Sequence, residues 1–312
     1  MKHSLLELLI CPDCLPQENS LSVQIDQEHK DDILTGQLRC HACARIYPVQ
    51  EGVAYLDPWS SPGTGSGSKY ETPQVIASYL WSHYADLLPD PEASSAYQSW
   101  VQQLLPHQGF SLDIGAAVGR FVFQMADKCD FALGVDNSVA FIKTARELML
   151  QGQKTFHLPV EGRLTRKVVL QLPEHWHRSK TDFLVANAQA LPFSSSSFAS
   201  LASLNMLDKV PDPLAHLQEI DRAAKERDVQ CLISDPFSWS TDTAQEDLWL
   251  GGTEHGKFPG LGIDNVQALL QSSNGYFSRP WTVKNQDQIW WKIRTHANHF
   301  ELIRSCFVHA AR

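Results

Sequence analysis

From residue 111 onward, short apolar runs alternate with amphipathic stretches. Ser111–Ile114, Phe131–Val135, Asp182–Ala186, Phe198–Leu204 and Val229–Ser234 read as buried strands. Phe121–Lys128, Val139–Leu150 and Pro213–Lys225 carry apolar positions at helical spacing. Strands alternating with helices predict an α/β fold, a doubly wound and mostly parallel sheet with ligands at the carboxyl ends of its strands. Upstream, residues 70–108 read as helical and carry Tyr79, Trp81, Tyr84, Tyr97 and Trp100. Still earlier, Leu21–Ile25 and Gly36–Arg39 alternate as hairpin strands do. Between them, Asp57–Ser68 is rich in Gly, Ser and Pro, as flexible linkers are. The expected division is a small N-terminal unit at 1–57, a linker at 58–69, a helical cap at 70–108 and the main domain at 109–312.

The totals narrow the function classes. The chain of 312 residues is 43% hydrophobic and 20% charged, an ordinary globular composition. Its formal net charge of −9 disfavours a nucleic-acid partner, because phosphate backbones select basic surfaces. No apolar run is long enough to span a bilayer. The start, Met1–Ile10, holds Glu7 and runs straight into Cys11, so it reads as part of a fold rather than a signal peptide. A cytoplasmic protein is the expectation, with its seven cysteines serving as metal ligands or packed thiols.

Two of the cysteine pairs have metal-binding spacing. Cys11-Pro12-Asp13-Cys14 and Cys40-His41-Ala42-Cys43 are separated by 25 residues. Each pair can bend around one side of a tetrahedral Zn²⁺, and four thiolates leave no open position, so the site is structural. A unit of this size has little core of its own and gains most from such a staple. Residues 40–53 resemble the small zinc-ribbon proteins that activate tRNA and protein methyltransferases. Cys129, Cys231 and Cys306 stand singly in apolar contexts and read as packed thiols.

The main domain opens on Ser111-Leu112-Asp113-Ile114-Gly115-Ala116-Ala117-Val118-Gly119-Arg120, followed by Gly134-Val135-Asp136. A strand, a glycine turn, a helix start and a second strand ending in a carboxylate form half of a nucleotide site. Asp136 is placed to accept from ribose hydroxyls. The G-x-G-x-x-G spacing of dinucleotide folds is broken by Ala117 and Arg120, so NAD fits poorly. The series Asp113, Gly115, Ala117, Gly119 instead resembles motif I of class I S-adenosylmethionine (SAM) methyltransferases. That resemblance implies SAM held by Asp113, Gly115, Ala117, Gly119, Asp136 and Asn137. It also implies Asn187 and Ala188 beside the adenine, where Asn187 replaces the family's usual acid.

A narrower resemblance follows from Gly115–Arg120, Pro159–Thr165, Asn205–Lys209, Asp235-Pro236-Phe237-Ser238-Trp239, Trp249-Leu250-Gly251-Gly252 and the tail Trp290–Thr295. In that order they are similar to the C-terminal methyltransferase domain of the ovothiol synthases, over residues 75–312. The resemblance implies N-methylation of the imidazole of 4-mercaptohistidine. The iron-dependent sulfoxide-synthase portion has no counterpart here, so methylation alone is expected, and the zinc ribbon is extra. In this reading Asn205 or Asp208 orients the acceptor ring or takes its proton. Tyr84 and Trp239 stack on the ring, and Arg294 pairs with the substrate carboxylate. Two alternatives stand beside it. One is an RNA methyltransferase gripping nucleic acid through the ribbon, against which residues 17–32 carry five acids and a single Lys30. The other is a non-catalytic SAM-binding scaffold.

Overall fold

The computed structural model describes residues 1–60, 69–273 and 275–312; residues 61–68 of the expected linker lie outside them. The N-terminal unit is a ribbon of four antiparallel strands in the order β1-β2-β3-β4. They are β1 (Leu21–His29), β2 (Asp32–Cys40), β3 (Ile46–Gln50) and β4 (Val53–Ala54). The two alternating stretches lie in β1 and β2, which pair as a hairpin.

Two helices follow, α1 (Pro73–Tyr84) and α2 (Ala96–Gln103). Thr72 caps α1 through the Val75 N–H, and Pro73 at the first helical position lacks the N–H that would go unpaired there. The expected strands appear as β5 (Phe110–Ile114), β6 (Phe131–Asp136), β9 (Thr181–Val185), β10 (Phe198–Leu204) and β11 (Gln230–Asp235). The helices between them are α3 (Arg120–Met125), α4 (Val139–Gln151), α5 (Pro213–Ala223) and α6 (Gly262–Gln271). Two hairpins complete the chain. One is β7 (Gln153–Glu161) with β8 (Leu164–Gln171); the other is β12 (Thr282–His296) with β13 (His299–Ala311).

The central sheet runs β12-β13-β11-β10-β5-β6-β9. β9, β6, β5, β10 and β11 are mutually parallel, and β13 opposes β11. The order reverses between β5 and β10, so a crevice opens at their carboxyl ends. Successive residues of β5 serve opposite faces: Leu112 and Ile114 join the core under α5 and α6, while Asp113 turns toward the face covered by α1–α4.

The ribbon and the sheet share a core. Leu5, Leu38 and Tyr47 of the ribbon belong to the same buried cluster as Leu112, Leu133 and Leu184 of the sheet. Past β4, Tyr55 lies parallel to Val185, and the Leu56 N–H donates to the Val185 carbonyl at 2.7 Å. The ribbon thus caps the β9 edge, which would otherwise be open. Buried Arg146 of α4 bridges Asp32 of the ribbon (2.6 Å) and Asp182 of β9. Asp182 also accepts the Lys2 N–H at 2.7 Å.

Only Cys306–Ala311 of β13 pair with β11. The rest of the β12–β13 hairpin runs past the end of the sheet and over the crevice. Its tip is tied to the β7–β8 hairpin by the Ala297 N–H on the Val160 carbonyl at 3.1 Å.

Candidate active site

The crevice holds a cavity of about 760 Å³. Its floor is the turn after β5. Gly115 (φ +81°) and Ala117 (φ +44°) adopt left-handed backbone there, and a Cβ at Gly115 would collide with the Met206 side chain. Gly119 (φ +84°) precedes α3 and packs on Phe183, below the cavity rather than in its wall.

Asp136 ends β6 in the cavity wall. One carboxylate oxygen accepts the Ser138 N–H (2.8 Å) and the other the Ala117 N–H (3.0 Å), which locks the glycine turn to the second strand. Burial raises its pKa to about 6 against the pull of these N–H groups. Asn137 and Ala188 line the same wall, with Asn187. The Asn187 Oδ1 accepts the Gln189 N–H at 3.0 Å, and the Ala188 carbonyl meets Nδ1 of buried His216 at 3.0 Å. Asp113 lies under the turn, outside the wall, with a buried Oδ1 that has no partner among the described residues. A floor of strained small residues, a carboxylate at the second strand end and an amide segment after the third suit a nucleoside carrying an amino-acid tail. The residues present fit SAM.

Asn205 ends β10 in the wall at φ +58°. Its Oδ1 accepts from Ser305 Oγ at 2.6 Å, which leaves the amide nitrogen for a ligand. The other expected substrate-side residues lie elsewhere. Asp208 is buried outside the wall, where it accepts the Ser238 N–H (3.0 Å) and pairs with Lys209 (2.9 Å). Next to it, Asp235 accepts the N–H groups of Leu207, Asp208 and Phe237. Burial and the neighbouring Asp208 hold Asp235 well above the usual carboxylate range. This acidic pair knots two loops together.

Tyr84 is wholly buried, and its hydroxyl donates to the Val118 carbonyl at 2.7 Å. It props the glycine turn from behind, outside the wall that Tyr79 and His83 line. Trp239 stacks on Trp249 at 6.2 Å, and Gly252 faces its ring. The two tryptophan motifs therefore pack on each other rather than on a ligand. Arg294 lies on the far face of β12, paired with Asp90 at 3.5 Å and near the rings of Trp81 and Phe300. Strand alternation decides this: Trp291, Ile293 and Thr295 face the cavity, so Arg294 does not.

The structure supplies other residues to the wall. Tyr79, His83 and Tyr97 come from α1 and α2, and Trp291, Glu301 and Ile303 from the long hairpin. Tyr79 lies 4.8 Å from Phe141 and 6.2 Å from Trp291 between ring centroids. The signals in the sequence for these were the concentration of aromatic residues before motif I and, for Trp291, the tail Trp290–Thr295.

In the ribbon, the four Sγ atoms of Cys11, Cys14, Cys40 and Cys43 lie within 4.8 Å of one another. Cys11–Cys43 and Cys14–Cys40 are 3.6 and 3.7 Å apart. A tetrahedron with Zn–S of about 2.3 Å has edges of about 3.8 Å, so the residues fit zinc. Burial pushes the Cys11 thiol up to about 12, so a thiolate there needs a bound cation. Burial also acts on Cys40, but the N–H groups of Cys43 and Ala42 bring it down to about 7. Among the described residues, no helix is long and apolar enough to cross a membrane.

Residues 112–228 match the family model described as a methyltransferase domain, and residues 2–52 match that of Trm112p-like protein. No curated protein matches the chain. Among solved structures, a SAM-dependent methyltransferase from Methanosarcina mazei is 16% identical, with 67% of this chain and 95% of that one covered and a TM-score of 0.43. One from Aquifex aeolicus is 13% identical over 77% and 97%, with a TM-score of 0.42. A complex of the Haloferax volcanii Trm112 methyltransferase activator is 14% identical over 77% and 92%, with a TM-score of 0.41. The protein is a SAM-dependent methyltransferase of the class I fold, built with a Trm112p-like zinc ribbon on the edge of its catalytic sheet.

Proposed function

We propose that the enzyme N-methylates a small histidine-derived thiol of the 4-mercaptohistidine type. The observation that carries this reading is the roofed, aromatic-walled cavity. At about 760 Å³ it falls among small-molecule pockets, roughly 300–1,000 Å³, and the long hairpin crosses its top. Tyr79, Tyr97, Trp291 and His83 offer flat faces to a planar heteroaromatic ring. The resemblance of the Asp235–Trp239 and Trp249–Gly252 segments to ovothiol-type methyltransferase domains points to the same acceptor.

Bound SAM supplies a methyl group on a cationic sulfonium. The chain has to align a nucleophilic nitrogen with that methyl and exclude water. An imidazole nitrogen with a free lone pair would take the methyl as S-adenosylhomocysteine leaves, and the N–H proton of the methylated ring would pass to bulk water as the product departs. Asn205, with its amide nitrogen free, orients the acceptor at the end of β10. The aromatic roof keeps the site dry. Asp208 supports the loop rather than touching the ring, and Arg294 anchors the roof.

Incubation of the full chain with SAM and, separately, 4-mercaptohistidine, histidine and transfer RNA, followed by mass spectrometry, tests the assignment. A +14 Da product from mercaptohistidine alone is the expected result. Methylated RNA with unchanged mercaptohistidine would replace this reading with the nucleic-acid one, and no product with retained SAM binding would favour the scaffold.

A further inference from the structure

The cavity wall contains a buried pair whose rings are used above but whose polar atoms are not. Nε2 of His83 lies 2.6 Å from the hydroxyl of Tyr97, and both residues line the cavity. His83 is 4% exposed and Tyr97 8%. Burial, with the field of Arg120, keeps the imidazole neutral, and burial keeps the phenol protonated. The pair therefore holds two donor protons, one on the imidazole and one on the phenol.

Their shared hydrogen bond uses only one proton. If Tyr97 donates, the spare proton is on His83 Nδ1, which has no partner among the described residues. If His83 donates, the spare proton is on the Tyr97 hydroxyl, which makes no other hydrogen bond among those of the described residues. Either tautomer leaves one buried donor without an acceptor among the described residues, an arrangement rare in proteins unless water, an ion or a ligand meets it.

The charges around the cavity say which acceptor fits. Lys209 is the one Lys or Arg among the described lining residues, and its Nζ is already 2.9 Å from Asp208. A carboxylate entering here meets no free cation. It does meet a neutral donor, and hydrogen bonds to a charged acceptor are the strong ones. Arg120, buried nearby, acts electrostatically on His83 but is itself held by both oxygens of Asp86, at 3.0 and 2.8 Å, so what the pair offers a carboxylate is its spare proton and not a free charge.

We propose that the His83–Tyr97 pair is a carboxylate-binding subsite, which recognises the anionic end of an amino-acid ligand through one neutral donor. Two ligands carry that group: the cofactor, in its methionine tail, and an amino-acid acceptor. The acceptor half rests on the function proposed above; the cofactor half does not.

Calorimetry on wild type, Tyr97→Phe and His83→Phe, each checked for an intact thermal transition, provides the cofactor arm. The probes are S-adenosylhomocysteine, which carries the carboxylate, and 5′-methylthioadenosine, which does not. If the subsite holds the cofactor tail, at least one variant loses about tenfold in affinity for the first and under twofold for the second. If it holds the acceptor, both nucleosides bind as in wild type. In that case KM for 4-mercaptohistidine rises about tenfold, with KM for its decarboxylated analogue unchanged. Equal losses with and without the carboxylate, or no loss in either folded variant, overturn the proposal. If wild type does not turn over mercaptohistidine, the acceptor half falls with that reading and calorimetry alone decides, a flat result again overturning it.

Discussion

Asp136 accepts the N–H groups of Ser138 and Ala117 while facing the cavity, so one carboxylate both shapes the glycine turn and lines the wall proposed to hold the cofactor. Asp136→Ala should weaken SAM binding by about 1.5–3 kcal/mol, the range for hydrogen bonds to a charged group. Unchanged affinity by calorimetry would mean that the ribose lies elsewhere. A pH dependence follows from burial, which raises this acid to about 6. If Asp136 holds the ribose, its ionised form can accept from both hydroxyls and its protonated form cannot. Affinity should therefore be level above about pH 7 and fall as pH drops through 6; a flat profile from pH 5 to 8 would contradict this. Asn205→Ala should lower kcat/KM for the acceptor about 10–100-fold, with SAM affinity within twofold. At this scale the places of Asp136, Asn187 and Asn205 in the wall were legible because each lies at or within two residues of a strand's carboxyl end. Tyr84 and Arg294 were not, because a residue's facing depends on one step of helix or strand phase.

The long β12–β13 hairpin is the element that turns an open crevice into a cavity. Asp90 ties its underside down by accepting from Trp81 Nε1 at 2.8 Å and pairing with Arg294. Arg294→Ala removes a largely buried cation and leaves Asp90 short of a partner. A loss of about 1–3 kcal/mol in unfolding free energy is expected by urea denaturation. The kinetic signature should be equal effects on KM for acceptor and cofactor. A selective rise for the acceptor would return Arg294 to the substrate site. The parallel strands and their helices were legible from apolar period and length, though α3 and α5 end a few residues early, at Met125 and Ala223. Both hairpins went unread as elements. Ile289, Trp291 and Ile293 share one face, but exposed Trp290 between the first two breaks the apolar–polar alternation that would mark a strand.

At the scale of the molecule, the ribbon is part of the catalytic sheet's structure. It covers the β9 edge through Tyr55 and Leu56, and β9 leads directly into Ala186–Ala188 of the cavity wall. Elemental analysis should find about one zinc per chain. Chelation should make residues 1–57 sensitive to protease and, because the β9 edge is then uncovered, weaken SAM binding; full affinity in metal-free protein would show the two units to be independent. Arg146→Leu should cost about 3–5 kcal/mol in chemical denaturation, because it strands Asp182 as a buried charge and leaves Asp32 with the Met1 ammonium group as its remaining ion-pair partner. A loss below about 1 kcal/mol would mean that water reaches this junction.

What the chain determined by itself was everything written in local spacing. Two C-x-x-C pairs carry a metal tetrahedron, and Asp113–Gly119 with Asp136 carry half a nucleotide site, because those contacts are made by residues close in sequence or at repeating strand ends. Tertiary structure decided what occupies the acceptor side. His83 and Tyr97 meet only because α1 and α2 pack together, and the long hairpin brings Trp291 and Glu301 over them from some 200 residues away. The same packing turned Arg294 outward and set Trp239 against Trp249. Contacts over such separations depend on which faces the core buries, a property of the whole fold that no short motif encodes.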